Sequence, residues 1–158
     1  MIRKKILLLG DFGVGKTSLI CRYIDNTFND SYLTTIGVKI SKKLMILNDI
    51  ECELLIWDIE GKTPTKSIPH SYFKGASGAI FVGDVTRHET IIGLNEHINT
   101  FLMMNGDAKH VIAYNKADLL TKQQIEALDV ASNVFLTSAK SDMNVEALFS
   151  TITKEMIL

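Results

Sequence analysis

Short apolar runs alternate along this chain with stretches of helical period. Ile2 to Leu9 is nearly continuous in apolar residues after a basic start, the pattern of a parallel strand covered on both faces. Leu19, Ile20 and Tyr23 then recur at helical spacing, which predicts a helix from about Lys16 to Asp25. Asn26 to Gly37 is polar and reads as a long loop, and loops of that length are usually functional. Lys39 to Leu47 and Glu51 to Asp58 predict two strands joined by a hairpin at Asn48-Asp49. From Glu60 to His70, Pro64 and Pro69 argue against a regular helix.

Ala79 to Val82 predicts a further buried strand, followed by one amphipathic helix striped by Ile91, Leu94, Ile98 and Phe101. His110 to Tyr114 is a short strand ending at Asn115. Thr121 with Gln124 resembles a capping box that opens a helix through Leu128. Val134 to Leu136 is a last strand, and Val145, Leu148, Phe149 and Ile152 stripe a final helix. Alternating strands and helices with one hairpin predict an α/β sheet, mostly parallel, with helices on both faces. No repeat, low-complexity tract or linker interrupts it, so one domain over residues 1–158 is expected.

Composition narrows the class without naming a function. The 158 residues are 46% hydrophobic and 22% charged, an ordinary globular balance. A formal net charge of −1 gives no general attraction to nucleic acid or to an anionic membrane. The two cysteines, Cys21 and Cys52, have neither metal spacing nor a disulfide framework, so a reducing, cytoplasmic setting is expected. No stretch approaches the roughly 20 apolar residues of a transmembrane helix. The final residues include no cysteine to carry a prenyl group, so no membrane anchor is expected in this chain.

Chemistry concentrates where predicted strands end. Gly10-Asp11-Phe12-Gly13-Val14-Gly15-Lys16-Thr17 follows the first strand, opens the first helix and fits the phosphate-binding pattern G-x-x-x-x-G-K-[ST]. Glycines let the backbone wrap an anion, and successive N–H groups with the helix N-terminus then point at phosphate oxygens. Lys16 is placed to reach the β- and γ-oxygens, and the Thr17 hydroxyl to ligate Mg²⁺. In Trp57-Asp58-Ile59-Glu60-Gly61, Asp58 can hold a magnesium-bound water and the Gly61 N–H can meet a γ-phosphate.

Asn115-Lys116-Ala117-Asp118 ends another strand. Asp118 can accept from the ring N–H and exocyclic amine of guanine, a donor pair that adenine lacks, so the wrong base leaves the carboxylate unpaired. Asn115 can tie this segment to the phosphate loop, and the stem of Lys116 can cover the base. In Thr137-Ser138-Ala139-Lys140, the Ala139 N–H can donate to the guanine carbonyl. Thr35, in the long loop, is placed to give Mg²⁺ a second hydroxyl.

This set resembles the small GTPases of the Ras superfamily, and most of all the Rab branch. The resemblance is carried by Gly10 to Thr17, Thr35-Ile36-Gly37-Val38, Ile56-Trp57-Asp58, Tyr72-Phe73-Lys74-Gly75-Ala76 and Asp84-Val85-Thr86, and spans essentially the whole chain. It implies the P-loop GTPase fold, a six-stranded, mostly parallel sheet with one antiparallel hairpin strand and about five helices. It implies GTP and GDP as ligands with Mg²⁺, and hydrolysis of GTP to GDP and phosphate. The phosphate contacts would be Asp11, Phe12, Gly13, Val14, Gly15, Lys16, Thr17 and Ser18, with Thr35 and Gly61. The base contacts would be Phe28, Asn115, Lys116, Asp118, Ser138, Ala139 and Lys140. Thr17, Thr35 and Asp58 would hold the metal, and Lys16, Thr35, Gly61 and Lys62 would stand at the reacting phosphate. Effector, exchange and activating proteins would meet residues 32–40 and 57–73, the two switches. Ile40, Trp57 and Tyr72 match the family's apolar triad, and Trp57 serves equally well as core.

Three residues depart from the family pattern. Lys62 stands where the glutamine that orients water is expected, and a lysine has only donors. Glu60 replaces the usual alanine beside the γ-phosphate, and Phe12 is bulky where the loop is small. All three predict slow hydrolysis. They leave open a rival reading, a GTP-binding interaction module without turnover.

Overall fold

The computed structural model describes residues 1–28, 37–61 and 68–158. Its element order is β1 (Ile2–Leu9), α1 (Lys16–Asp25), β2 (Val38–Leu47), β3 (Ile50–Ile59), β4 (Gly78–Asp84), α2 (His88–Ile92), α3 (Leu94–Met104), β5 (Lys109–Asn115), α4 (Lys122–Glu126), β6 (Val134–Leu136) and α5 (Val145–Ile157). Short 3-10 turns cover His70–Phe73 and Ala117–Leu119. The six strands form one sheet in the order β2-β3-β1-β4-β5-β6. All neighbours are parallel except β2 and β3, as the alternation of elements predicts.

The unbroken apolar runs of β1 and β4 follow from their central place. Ile6, Leu8, Ile80 and Val82 face a cluster built with Leu19 and Tyr23 of α1 and Leu148, Phe149 and Ile152 of α5. Leu7, Leu9, Ala79 and Phe81 face the other cluster, with Leu94 and Phe101 of α3 and with Phe73. Each strand therefore buries both sets of alternate side chains. Tyr23 and Phe149 stack with ring centroids 4.1 Å apart, which fastens α1 to α5. The β2–β3 hairpin turns at Asn48 and Asp49, both at positive φ (48° and 64°), the geometry of a tight two-residue turn.

Two expected helices come out shorter. The stripe from Ile91 to Phe101 is not one helix, because Gly93 separates α2 from α3. Ile91 reaches over Gly83 of β4, where a Cβ would stand 2.4 Å from Ile91 Cδ1, so the chain bends to seat α2 against the strand end. The capping box at Thr121 and Gln124 forms in both directions, but α4 ends at Glu126 rather than at Leu128. No residue of α4 is buried, so nothing apolar holds a further turn. Cys21 and Cys52 are both free, and among the described residues no helix is long and apolar enough to cross a membrane.

Candidate functional site

Because β1, β3, β4, β5 and β6 run parallel, their C-terminal ends share one edge of the sheet, where the order reverses around β1. The loops leaving those ends carry most of the described residues singled out by sequence, while Phe28 follows α1. The loop after β1 has Gly13 at φ 78° and Gly15 at φ 103°, left-handed conformations that side chains disfavour. At Gly15 a Cβ would also stand 2.3 Å from Asn115 Nδ2. Such a loop can turn successive N–H groups toward one anion.

Lys16 is buried and its ammonium donates to the carbonyls of Gly10 (3.1 Å) and Asp11 (3.0 Å). Burial pushes its pKa down to about 8, against the pull of Asp58 and then Asp11 toward the charged form. An anion within reach restores the charged form, so the loop favours a phosphate on electrostatic grounds. Thr17 Oγ1 donates to Asp58 Oδ2 at 2.6 Å, bringing two hard oxygens together beside that ammonium. Hard oxygen donors in small number suit Mg²⁺, which keeps several waters and takes few protein ligands. Among the described residues no three His, Cys, Asp or Glu side chains gather as an alternative metal cage. Ser18 is half-buried at the start of α1, and Val14 is fully buried beneath the loop.

Gly61 closes on the same loop. A Cβ there would meet Phe12 Cα at 2.5 Å and Phe12 N at 2.6 Å. Glu60 does not project as a lone charge, since its Oε2 accepts from the Gly37 N–H at 3.2 Å and its N–H donates to Gly37 O at 2.8 Å. Thr35 and Lys62 lie outside the described residues, as do Tyr32 and Pro64. Phe12 is 40% exposed on the outer surface of the loop.

The β5 and β6 loops are stitched to the phosphate loop. Asn115 Nδ2 donates to Val14 O at 3.0 Å, and its Oδ1 accepts from Thr137 Oγ1 at 3.1 Å. Lys116, at φ 65°, donates to Gly13 O at 2.8 Å and pairs with the buried Asp84 at 2.9 Å. Burial alone raises the Asp84 carboxyl, but hydrogen bonds from Thr86 and Lys116 outweigh it and hold the pKa below the ordinary value. Ser138 Oγ donates to Asp118 Oδ1 at 2.8 Å, orienting a carboxylate on an otherwise exposed residue. Ala139 is buried, and Arg22 of α1 donates to the carbonyls of Ala139 (2.7 Å) and Lys140 (2.9 Å). Phe28 packs half-buried against the cluster between α1 and α5.

Residue types at strand ends do not single out Arg22, Arg87 or His97. Arg22 and His97 lie on helices, and Arg87 stands just before α2, where its Nη1 donates to Phe12 O at 2.9 Å. On the hairpin, Trp57 is half-buried, with Lys5 Nζ 3.6 Å from its ring centroid and Tyr72 at 6.2 Å. Ile40, its cross-strand neighbour, is 48% exposed. Trp57 thus both lines the second apolar cluster and borders open surface.

A sequence model of the Ras family matches residues 5–158. The chain is 36% identical over 157 residues to Ras-related protein SEC4 of Saccharomyces cerevisiae, covering 95% of this chain and 73% of that protein. It is 32% identical to Ras-related protein Rab-13 of Bos taurus, with 98% and 80% covered. Against Ras-related protein Rab-8B of Homo sapiens the identity is 32%, with 97% and 78% covered. The chain belongs to the Ras family: it is a Rab-like small GTPase, a GTP-binding switch.

Proposed function

We propose that residues 1–158 form one domain that holds GTP or GDP with Mg²⁺ in the loops after β1, β3, β5 and β6 and hydrolyses GTP slowly. The observation that carries this reading is the Asn115 amide on Val14 O at 3.0 Å, which fastens the loop suited to a guanine base onto the loop suited to phosphates. Lys16 would neutralise β- and γ-oxygens, and the Gly61 N–H would meet the γ-phosphate. Asp118, oriented by Ser138, would read the guanine ring N–H and amine, the Ala139 N–H its carbonyl, and Phe28 and the Lys116 stem would flank the base. Thr17, Thr35 and Asp58 would hold Mg²⁺, which when bound spreads charge from the phosphate oxygens. Catalysis in such a site is positioning and charge stabilisation. Effectors and regulators would meet residues 32–40 and 57–73, and the cytoplasmic setting expected from two unpaired cysteines goes with this reading.

Slow turnover follows from Lys62, which has no acceptor for the attacking water. Phe12 adds bulk where an activating arginine, worth ~10³–10⁵ in rate for this class, would approach. One observation favours the rival module without turnover. Glu60 binds Gly37 through both backbone and carboxylate, a tie between the later part of the first switch region and the early part of the second that involves no phosphate.

Single-turnover hydrolysis of bound GTP, with the released nucleotide identified, tests the choice. Slow appearance of GDP, faster in Lys62→Gln, supports the switch. GTP that stays intact for days with Mg²⁺ present supports the module and contradicts hydrolysis.

A further inference from the structure

Asp11 and Phe12 are held by groups from three other parts of the molecule. From inside the loop, Lys16 Nζ donates to the Asp11 carbonyl at 3.0 Å. From the end of β3, Gly61 lies so close that a Cβ would stand 2.9 Å from the Asp11 carbonyl carbon. From outside, His97 Nε2 of α3 lies 3.0 Å from Asp11 Oδ1, and Arg87 donates to Phe12 O at 2.9 Å. The break at Gly93 brings the start of α3 this near, since a Cβ on Gly93 would stand 3.7 Å from Asp11 Oδ2.

His97 is 8% exposed on a helix whose other buried positions are Leu94 and Phe101. A polar ring at an apolar station needs a partner, and the Asp11 carboxylate supplies it. With that carboxylate ionised, Nε2 carries the proton and donates a charge-assisted bond. None of the nucleotide contacts proposed above uses this histidine.

We infer that His97 is a positioning residue for nucleotide retention: it fixes the Asp11 carboxylate, and so the Asp11 carbonyl on which the Lys16 ammonium rests. The inference depends on the assignment of Lys16 to the phosphates. Only two rotatable bonds separate the Asp11 carboxylate from its backbone, so holding the carboxylate on α3 tethers the residue as a whole and limits how far its carbonyl can drift from Lys16. Arg87 restrains the neighbouring carbonyl, so α3 and the turn before α2 act as an outer brace on the phosphate loop.

The test is the release rate of a fluorescent N-methylanthraniloyl GDP from the full chain, chased with excess GDP. His97→Leu should release it at least about tenfold faster, the size expected for one hydrogen bond to a charged group. His97→Gln keeps a donor within reach and should stay within about threefold of the parent. Asp11→Ala, at a partly exposed residue, should reproduce the fast release even where His97→Leu folds poorly, and adding His97→Leu to it should change nothing more. Equal rates in the parent, His97→Leu and Asp11→Ala overturn the inference. So does equally fast release from the Gln and Leu variants, which would make His97 a space-filler. A parent chain that takes up no guanine nucleotide removes the nucleotide site as well, whereas one that binds with indifferent variants removes only the brace.

Discussion

Replacing Asn115 by alanine should loosen the fold and the site together. Its side chain serves two buried groups, accepting from Thr137 Oγ1 at 3.1 Å and donating to Val14 O at 3.0 Å. Thr137 and Val14 are both 0% exposed, so water does not replace the lost amide. Each stranded group costs about 1–3 kcal/mol, with the rotatable hydroxyl at the low end, so the loss should total about 2–4 kcal/mol. In urea, with m about 2 kcal/mol/M, that is a fall of about 1–2 M in the midpoint. Bound nucleotide adds stability by mass action, so unfolding is best followed at several GDP concentrations. The loss extrapolated to zero GDP then measures the stitch, and the changed response to GDP measures affinity. Thr137→Val removes only one of the two bonds and should cost about 1 kcal/mol. The double variant should lose less than the two single losses added, because the residues share a bond. A loss in Asn115→Ala below about 0.5 kcal/mol, with the GDP response unchanged, would refute the claim that this amide joins the loops.

Other residues give sharper local tests. Against the opposing effect of burial, hydrogen bonds from Thr86 and Lys116 hold the folded Asp84 carboxyl below its ordinary value, so its stabilisation is present above the ordinary carboxylate range and is lost as pH falls through the folded value. Asp84→Asn should therefore be less stable than the parent at neutral pH and converge with it in acid; a gap that stays constant in thermal melts down to about pH 2 contradicts this. Gly61→Ala would force a Cβ to 2.5 Å from the Phe12 backbone, and an equilibrium titration should show guanine nucleotide bound at least about tenfold more weakly. Unchanged affinity there would mean that the loop yields without cost. Asp118→Asn should exchange preference for GTP for preference for xanthosine triphosphate in competition, since an amide donor suits the extra carbonyl. Retained guanine preference would take Asp118 out of the base site.

What could be read in advance was mostly short in range. Thr121 and Gln124 announce a capping box because both bonds close within three residues, and both form. Asn48-Asp49 announces a hairpin because both residues tolerate positive φ. The central strands are legible because burial on both faces leaves no polar position along Ile6 to Leu9. Legibility failed where a local signal competed with packing at a distance. Gly93 sits inside a helical stripe and looks tolerable there, yet α2 has to settle over Gly83 and the helix divides. The α4 helix ends early because the apolar Leu128 has no core to join.

By itself the sequence determined the order of strands and helices, the phosphate-loop pattern at Gly10 to Thr17, and the residue types that suit a guanine base. These depend on backbone torsion, hydrophobic period and the donors and acceptors each side chain carries, all local properties. Only the tertiary structure decided that Asn115 would clasp Val14, that Lys116 would bridge Gly13 and Asp84, and that Arg22 would reach Ala139. It alone placed His97 against Asp11, 86 residues away along the chain. Those pairings arise because parallel strands bring their C-terminal ends to one edge, so groups remote in sequence become neighbours. Which of them then bond is set by burial, since a polar group withdrawn from water must find its partner among whatever the fold has brought within about 3 Å.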